Sequence, residues 1–201
     1  MALGLGDRAM GLWAGAFCAI AGSAALGGVL QASSGSDDPM TAALTWTGAL
    51  VLANAASLLF LLSTLCAYTA GRVHAICAGL AVAKFALFGV CAALNDDVRM
   101  VVYDGALTML VVLALSAWGA WAGRMRSATW VLAGALGSML AALFQHGRVS
   151  IHPQFSHNNL FHVVQMGAMY LLYRGGLLLR EREPEAPDFD ATQPLPIAVE
   201  E

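Results

Sequence analysis

Four of the five histidines in the chain fall between His146 and His162, in the stretch QHGRVSIHPQFSHNNLFH. Neutral imidazoles with a carboxylate, in partly dry surroundings, are the donors a zinc-type ion prefers, and a catalytic zinc keeps three protein ligands and one open position. His146, His157 and His162 are therefore candidate metal ligands. Asp104 and Asp97 are candidate bases for a metal-bound water whose own acidity the ion raises. Gln165, three residues past His162, is placed to orient a ligand from behind. One geometric condition applies. His157 and His162 are five apart, and on one continuous helix such positions point about 140° apart. They converge only if the helix begins between them, and Ser156, Asn158 and Asn159 are residue types that cap helix N-termini. The bland alternative is a set of interfacial imidazoles that bond water, lipid headgroups and one another. His152, followed by Pro153, reads as a turn residue, and His74 as an interfacial side chain.

Lys84 is a separate signal. It and Asp104 are the formal charges well inside long apolar runs, where a charge costs at least about 2.5–3.5 kcal/mol on insertion scales. Lys84 needs a partner, and by depth Asp104 is the first candidate and Asn54 the second. The functional readings are a proton or ion relay, or a counter-charge for an anionic substrate. The structural reading is a buried ion pair that fixes helix register.

The elements that must position these groups follow from composition. Of 201 residues, 59% are hydrophobic and 11% charged, against about a quarter charged in soluble domains. A bilayer core about 30 Å thick needs about 20 helical residues. Six such runs extend approximately from Leu12 to Leu30, Thr41 to Ala67, Val73 to Leu94, Met100 to Ala122, Ala128 to Gln145 and Leu160 to Leu179. The expected fold is all-α, a polytopic transmembrane bundle over residues 1–180, with an acidic, proline-rich disordered tail over 181–201. The first run is longer than the core of a secretory signal, so it is read as a span. Glycines such as Gly15, Gly22, Gly79 and Gly134 are expected at close helix contacts.

Orientation follows from the basic residues of the short connections. Arg72, Arg124, Arg126, Arg174, Arg180 and Arg182 gather on one side, whereas Asp37, Asp38, Asp96 and Asp97 mark the other. This predicts both ends of the chain in the cytoplasm, in a bacterial inner membrane. The net charge of -3 and the lack of a basic cluster exclude nucleic acid as a partner. Cys18, Cys66, Cys77 and Cys91 lie in apolar runs without CxxC spacing and read as small buried hydrophobes.

The stretch HPQFSHNNLFHVVQM, from His152 to Met166, continuing to YLLYRG at Tyr170 to Gly175, resembles the closing motif of a family of uncharacterised bacterial multi-spanning membrane proteins. More distantly, histidines opening the last helix and an aspartate near the start of an earlier one are similar to the alkaline ceramidase and adiponectin receptor superfamily. That resemblance implies a zinc-dependent lipid amide hydrolase, with His157 and His162 as ligands and Asp104 orienting the attacking water. Here the two histidines are five apart on six helices, whereas the superfamily spaces them four apart on seven.

Two functions are therefore expected to compete. One is a zinc-dependent hydrolase acting on a lipid or amphiphile that enters sideways from the bilayer. The other is a non-enzymatic membrane protein, either a small transporter using Lys84 and Asp104 or a subunit of a homo-oligomer or larger membrane complex.

Overall fold

In the computed structural model, which describes residues 5–32, 38–95, 98–123, 126–152 and 155–180, the chain is a bundle of six helices. They are α1 (Leu5–Ala32), α2 (Pro39–Tyr68), α3 (Gly71–Asn95), α4 (Val98–Trp121), α5 (Arg126–His146) and α6 (His157–Leu177), closed by a short 3-10 turn at Leu178–Arg180. Among the described residues there is no strand, only an isolated bridge between His152 and Phe155. The acidic tail expected over 181–201 lies outside the described residues.

The helices are where uninterrupted apolar runs require them, because inside lipid each backbone N–H and C=O must find its partner within the segment. All but α6 are long and apolar enough to cross a membrane. His157, Asn158, Asn159, His162, Gln165 and Arg174 make α6 the most polar of the set. Its helical start is fixed by Ser156, whose hydroxyl accepts from the Asn159 amide at 3.4 Å. At the far end of α2, the chain turns in two residues, and Gly71 opens α3 at φ +60°, a backbone conformation that glycine adopts without steric cost.

Packing places α2 against α1, α3 and α4, continues from α4 to α5 and from α5 to α6, and closes through α6 and the 3-10 turn onto α1. The helix α3 stands outside this ring against α2 and α4, and Val73, Ile76, Leu80 and Leu87 on it are exposed. In a bilayer that surface meets lipid. The core joins Trp13, Phe60, Val112, Val131 and Leu172. Trp13 meets Phe60 edge-on at 4.8 Å between ring centroids and donates its indole N–H to the Leu172 carbonyl at 3.1 Å, which satisfies a buried donor that lipid could not.

Small residues let the helices approach. A Cβ on Gly134 would lie 2.9 Å from the Leu172 backbone nitrogen, and one on Gly137 3.0 Å from the Ala168 side chain. Gly15 and Gly22 also face α2, next to Leu59 and Leu52. Gly79 differs from expectation, because nothing lies within 4 Å of where its Cβ would stand. It is on the exposed side of α3, where no neighbour demands a small residue.

Candidate polar centre in the bundle

A polar centre is built where α2, α3 and α4 meet. Asp104 and Thr108 are one turn apart on α4, Asn54 and Ser57 are three apart on α2, and all four are buried. From α3, Lys84 reaches in with its side chain 11% exposed, and its ammonium donates to Asp104 Oδ1, to Thr108 Oγ1 at 2.9 Å, to Ser57 Oγ at 3.2 Å and to the Asp104 carbonyl at 3.4 Å. An ammonium has three hydrogens, so these four acceptors are more than it can serve at once. Ser57 and Thr108 share a further hydrogen bond of 2.6 Å. The Phe88 ring lies 5.9 Å from the Lys84 nitrogen, within the range of a cation–π contact.

Asn54 bonds the α3 backbone. Its Nδ2 donates to the Phe85 carbonyl at 3.1 Å, in the turn of α3 that also carries Lys84. Gly89 makes room for it, since a Cβ there would lie 2.9 Å from that nitrogen. Among the described residues, two buried oxygens of this centre have no hydrogen-bond partner, Asp104 Oδ2 and Asn54 Oδ1. An open carboxylate oxygen in a membrane interior attracts any group that brings a hydrogen or a positive charge.

The histidines are arranged differently from the metal-site expectation. The helix α6 begins at His157 rather than after it, so His157 and His162 share one helix and point about 140° apart. His162 is exposed and packs edge-on against Phe161, His157 is half-buried, and His146 is exposed at the end of α5. Among the described residues no three His, Cys, Asp or Glu side chains are close enough to hold a metal ion. Gln165 donates to Ser138 of α5 at 3.2 Å and so ties α6 to α5. Asp104 is engaged by Lys84. Asp97 lies outside the described residues.

The chain belongs to a family of unknown function, DUF6962, whose model matches residues 2–181. No curated protein and no solved structure matches it. The match runs through all six helices, so the Lys84–Asp104 centre and the histidine run both fall inside the family's region.

Ser57 and Thr108 are the members of the centre that sequence reasoning passed over. Their signal is spacing: Thr108 is four residues after Asp104, and Ser57 three after Asn54, so each polar pair shares one helix face. Hydroxyls are ordinary in membrane helices and carry no charge, so they draw no notice until their facing helices are known.

Proposed function

We propose that the chain is a non-enzymatic membrane protein, a small transporter that passes protons through the Lys84–Asp104 centre, set in a bacterial inner membrane with the more polar α6 as its sixth crossing and both ends of the chain in the cytoplasm. The observation that carries this reading is the Asp104 carboxylate, fully buried, with Oδ1 held by Lys84 and Oδ2 without a partner among the described residues. A proton arriving at Oδ2 weakens the attraction for Lys84. The ammonium can then turn to Thr108 and Ser57, which already accept from it. Carboxylates inside membrane helices commonly serve as proton relays. Transporters of larger solutes build their sites from broken helices, but a proton needs only exchangeable groups in reach of one another, and unbroken helices suit it.

The test is proton uptake by vesicles containing the purified chain, driven by an imposed pH gradient and read with a trapped dye. Wild type should exceed empty vesicles, and Asp104→Asn should remove the excess. If wild-type vesicles are no more permeable than empty ones, the relay is wrong. The zinc-dependent hydrolase reading, with His146, His157, His162, Asp97 and Asp104, would then be the one to assay, against lipid amides.

A further inference from the structure

We propose that the hydroxyls of Tyr68, Ser116 and Ser127 form the outlet of the proton path that runs through Asp104, an assignment that rests on the proton-carrying reading above. The three come from three helices. Tyr68 is the last residue of α2, Ser116 lies on α4, and Ser127 is the second residue of α5. Both serines are fully buried, and the Tyr68 hydroxyl faces them both. A Cβ on Gly119 would run into the Tyr68 ring, so this glycine is what lets the ring lie across α4. None of the three hydroxyl oxygens has a hydrogen-bond partner among the described residues. Buried hydroxyls left unpaired are costly, and each of these brings one hydrogen and two lone pairs. Side by side, each takes a proton on a lone pair and releases its own hydrogen to the next, so that no group keeps a charge after the proton has passed.

The cluster is in line with the polar centre. On α2, Thr64 and Tyr68 follow Ser57 by seven and eleven residues, which at 3.6 residues per turn returns both to within about 20° of its direction. On α4, Asp104, Thr108, Val112 and Ser116 recur every fourth residue, and all four are buried. From Ser57 to Tyr68 the path is about 16 Å at 1.5 Å per residue, and Thr64 divides it. Thr64 is buried and gives its hydrogen to the Phe60 carbonyl at 2.8 Å, so its oxygen still accepts. Water drawn in from the Tyr68 end closes the intervals, as buried water does between polar groups. Tyr68 stands where the chain turns from α2 into α3, with Arg72 just beyond it, the cytoplasmic side in the topology proposed above.

The experiment is vesicle proton uptake by the full-length chain, with thermal unfolding of each variant in detergent. Tyr68→Phe keeps the ring on Gly119 and deletes one oxygen. It should lower the proton flux about tenfold, the factor produced by a barrier higher by about 1.4 kcal/mol. It should also unfold no earlier than wild type, because the oxygen it deletes has no partner among the described residues. The double variant Ser116→Ala with Ser127→Ala should lose flux to a similar degree, and it covers the case in which Tyr68→Phe fails to fold. Flux equal to wild type in both variants overturns the outlet and leaves Asp104 as a relay with another exit. A loss of flux matched by a loss of stability in both makes the hydroxyls structural and overturns it as well. Wild-type vesicles no more permeable than empty ones would sink the relay itself, and the outlet with it.

Discussion

Lys84 meets Asp104 twice, at the carboxylate Oδ1 and at the backbone carbonyl of the same residue, 3.4 Å away. The second contact fixes the ammonium to the α4 backbone as well as to a side chain. Removing only the carboxylate leaves a mostly buried charge with weaker partners, which costs about 3–5 kcal/mol when one member of a buried pair is lost. Asp104→Ala should therefore lower the thermal unfolding temperature in detergent sharply. The double variant Lys84→Met with Asp104→Leu should recover most of the loss, because neither charge remains. A double variant as unstable as Asp104→Ala would show that the cost lies in packing rather than in the unpaired ammonium.

Thr108 is fully buried and serves two partners, accepting from Lys84 and bonding Ser57 at 2.6 Å. Thr108→Val keeps the shape and deletes the hydroxyl. An unpaired buried polar group costs about 1–3 kcal/mol, here softened because Lys84 keeps Asp104 and Ser57. The variant should unfold at a modestly lower temperature and carry protons more slowly than wild type in the vesicle assay. Unchanged flux with lowered stability would make Thr108 a structural residue only.

Much of the fold is legible in the sequence because the bilayer permits so few alternatives. Each long apolar run became one helix, and the bounds differ mainly at the ends: α1 begins at Leu5 rather than near Leu12, and α6 at His157 rather than near Leu160. The early start of α6 has a local cause, since Ser156 caps it, and those three residues separate diverging histidines from converging ones. Depth along the helices points Lys84 to Asp104. It says nothing of which neighbour stands beside which, so Ser57 and Thr108 stay hidden until α2 and α4 are seen to face each other. The cluster of Tyr68, Ser116 and Ser127 is equally hidden, because its members come from three helices.

Gly134 and Gly79 look alike in sequence, each a glycine within an apolar helix, yet they have opposite surroundings. At Gly134 an added Cβ would meet the Leu172 side chain at 2.7 Å and its backbone nitrogen at 2.9 Å. The backbone cannot move aside as a side chain end can, so Gly134→Ala must part α5 from α6, at about 1–3 kcal/mol for overpacking. Gly79→Ala meets nothing within 4 Å and gains helix propensity of about 0.5–1 kcal/mol. Thermal unfolding of the two variants should move in opposite directions. A loss of equal size in both would mean that α3 has a neighbour in the membrane, a second copy or another chain.

His157 and His162 provide the sharpest check on metal chemistry. Both sit on α6, whose first residue is His157, and their directions differ by about 140°. A zinc ion holds its nitrogen ligands at about 2.0–2.1 Å, so two side chains diverging from one helix cannot grip the same ion without unwinding its first turn. That unwinding would also break the bond from the Asn159 amide to Ser156. Elemental analysis of the purified chain, after zinc loading and dialysis, should give the same metal content for wild type, His157→Ala and His162→Ala. One zinc per chain, lost in both variants with the helix content preserved, would mean that α6 starts later in the loaded protein than His157 and that the two rings converge after all.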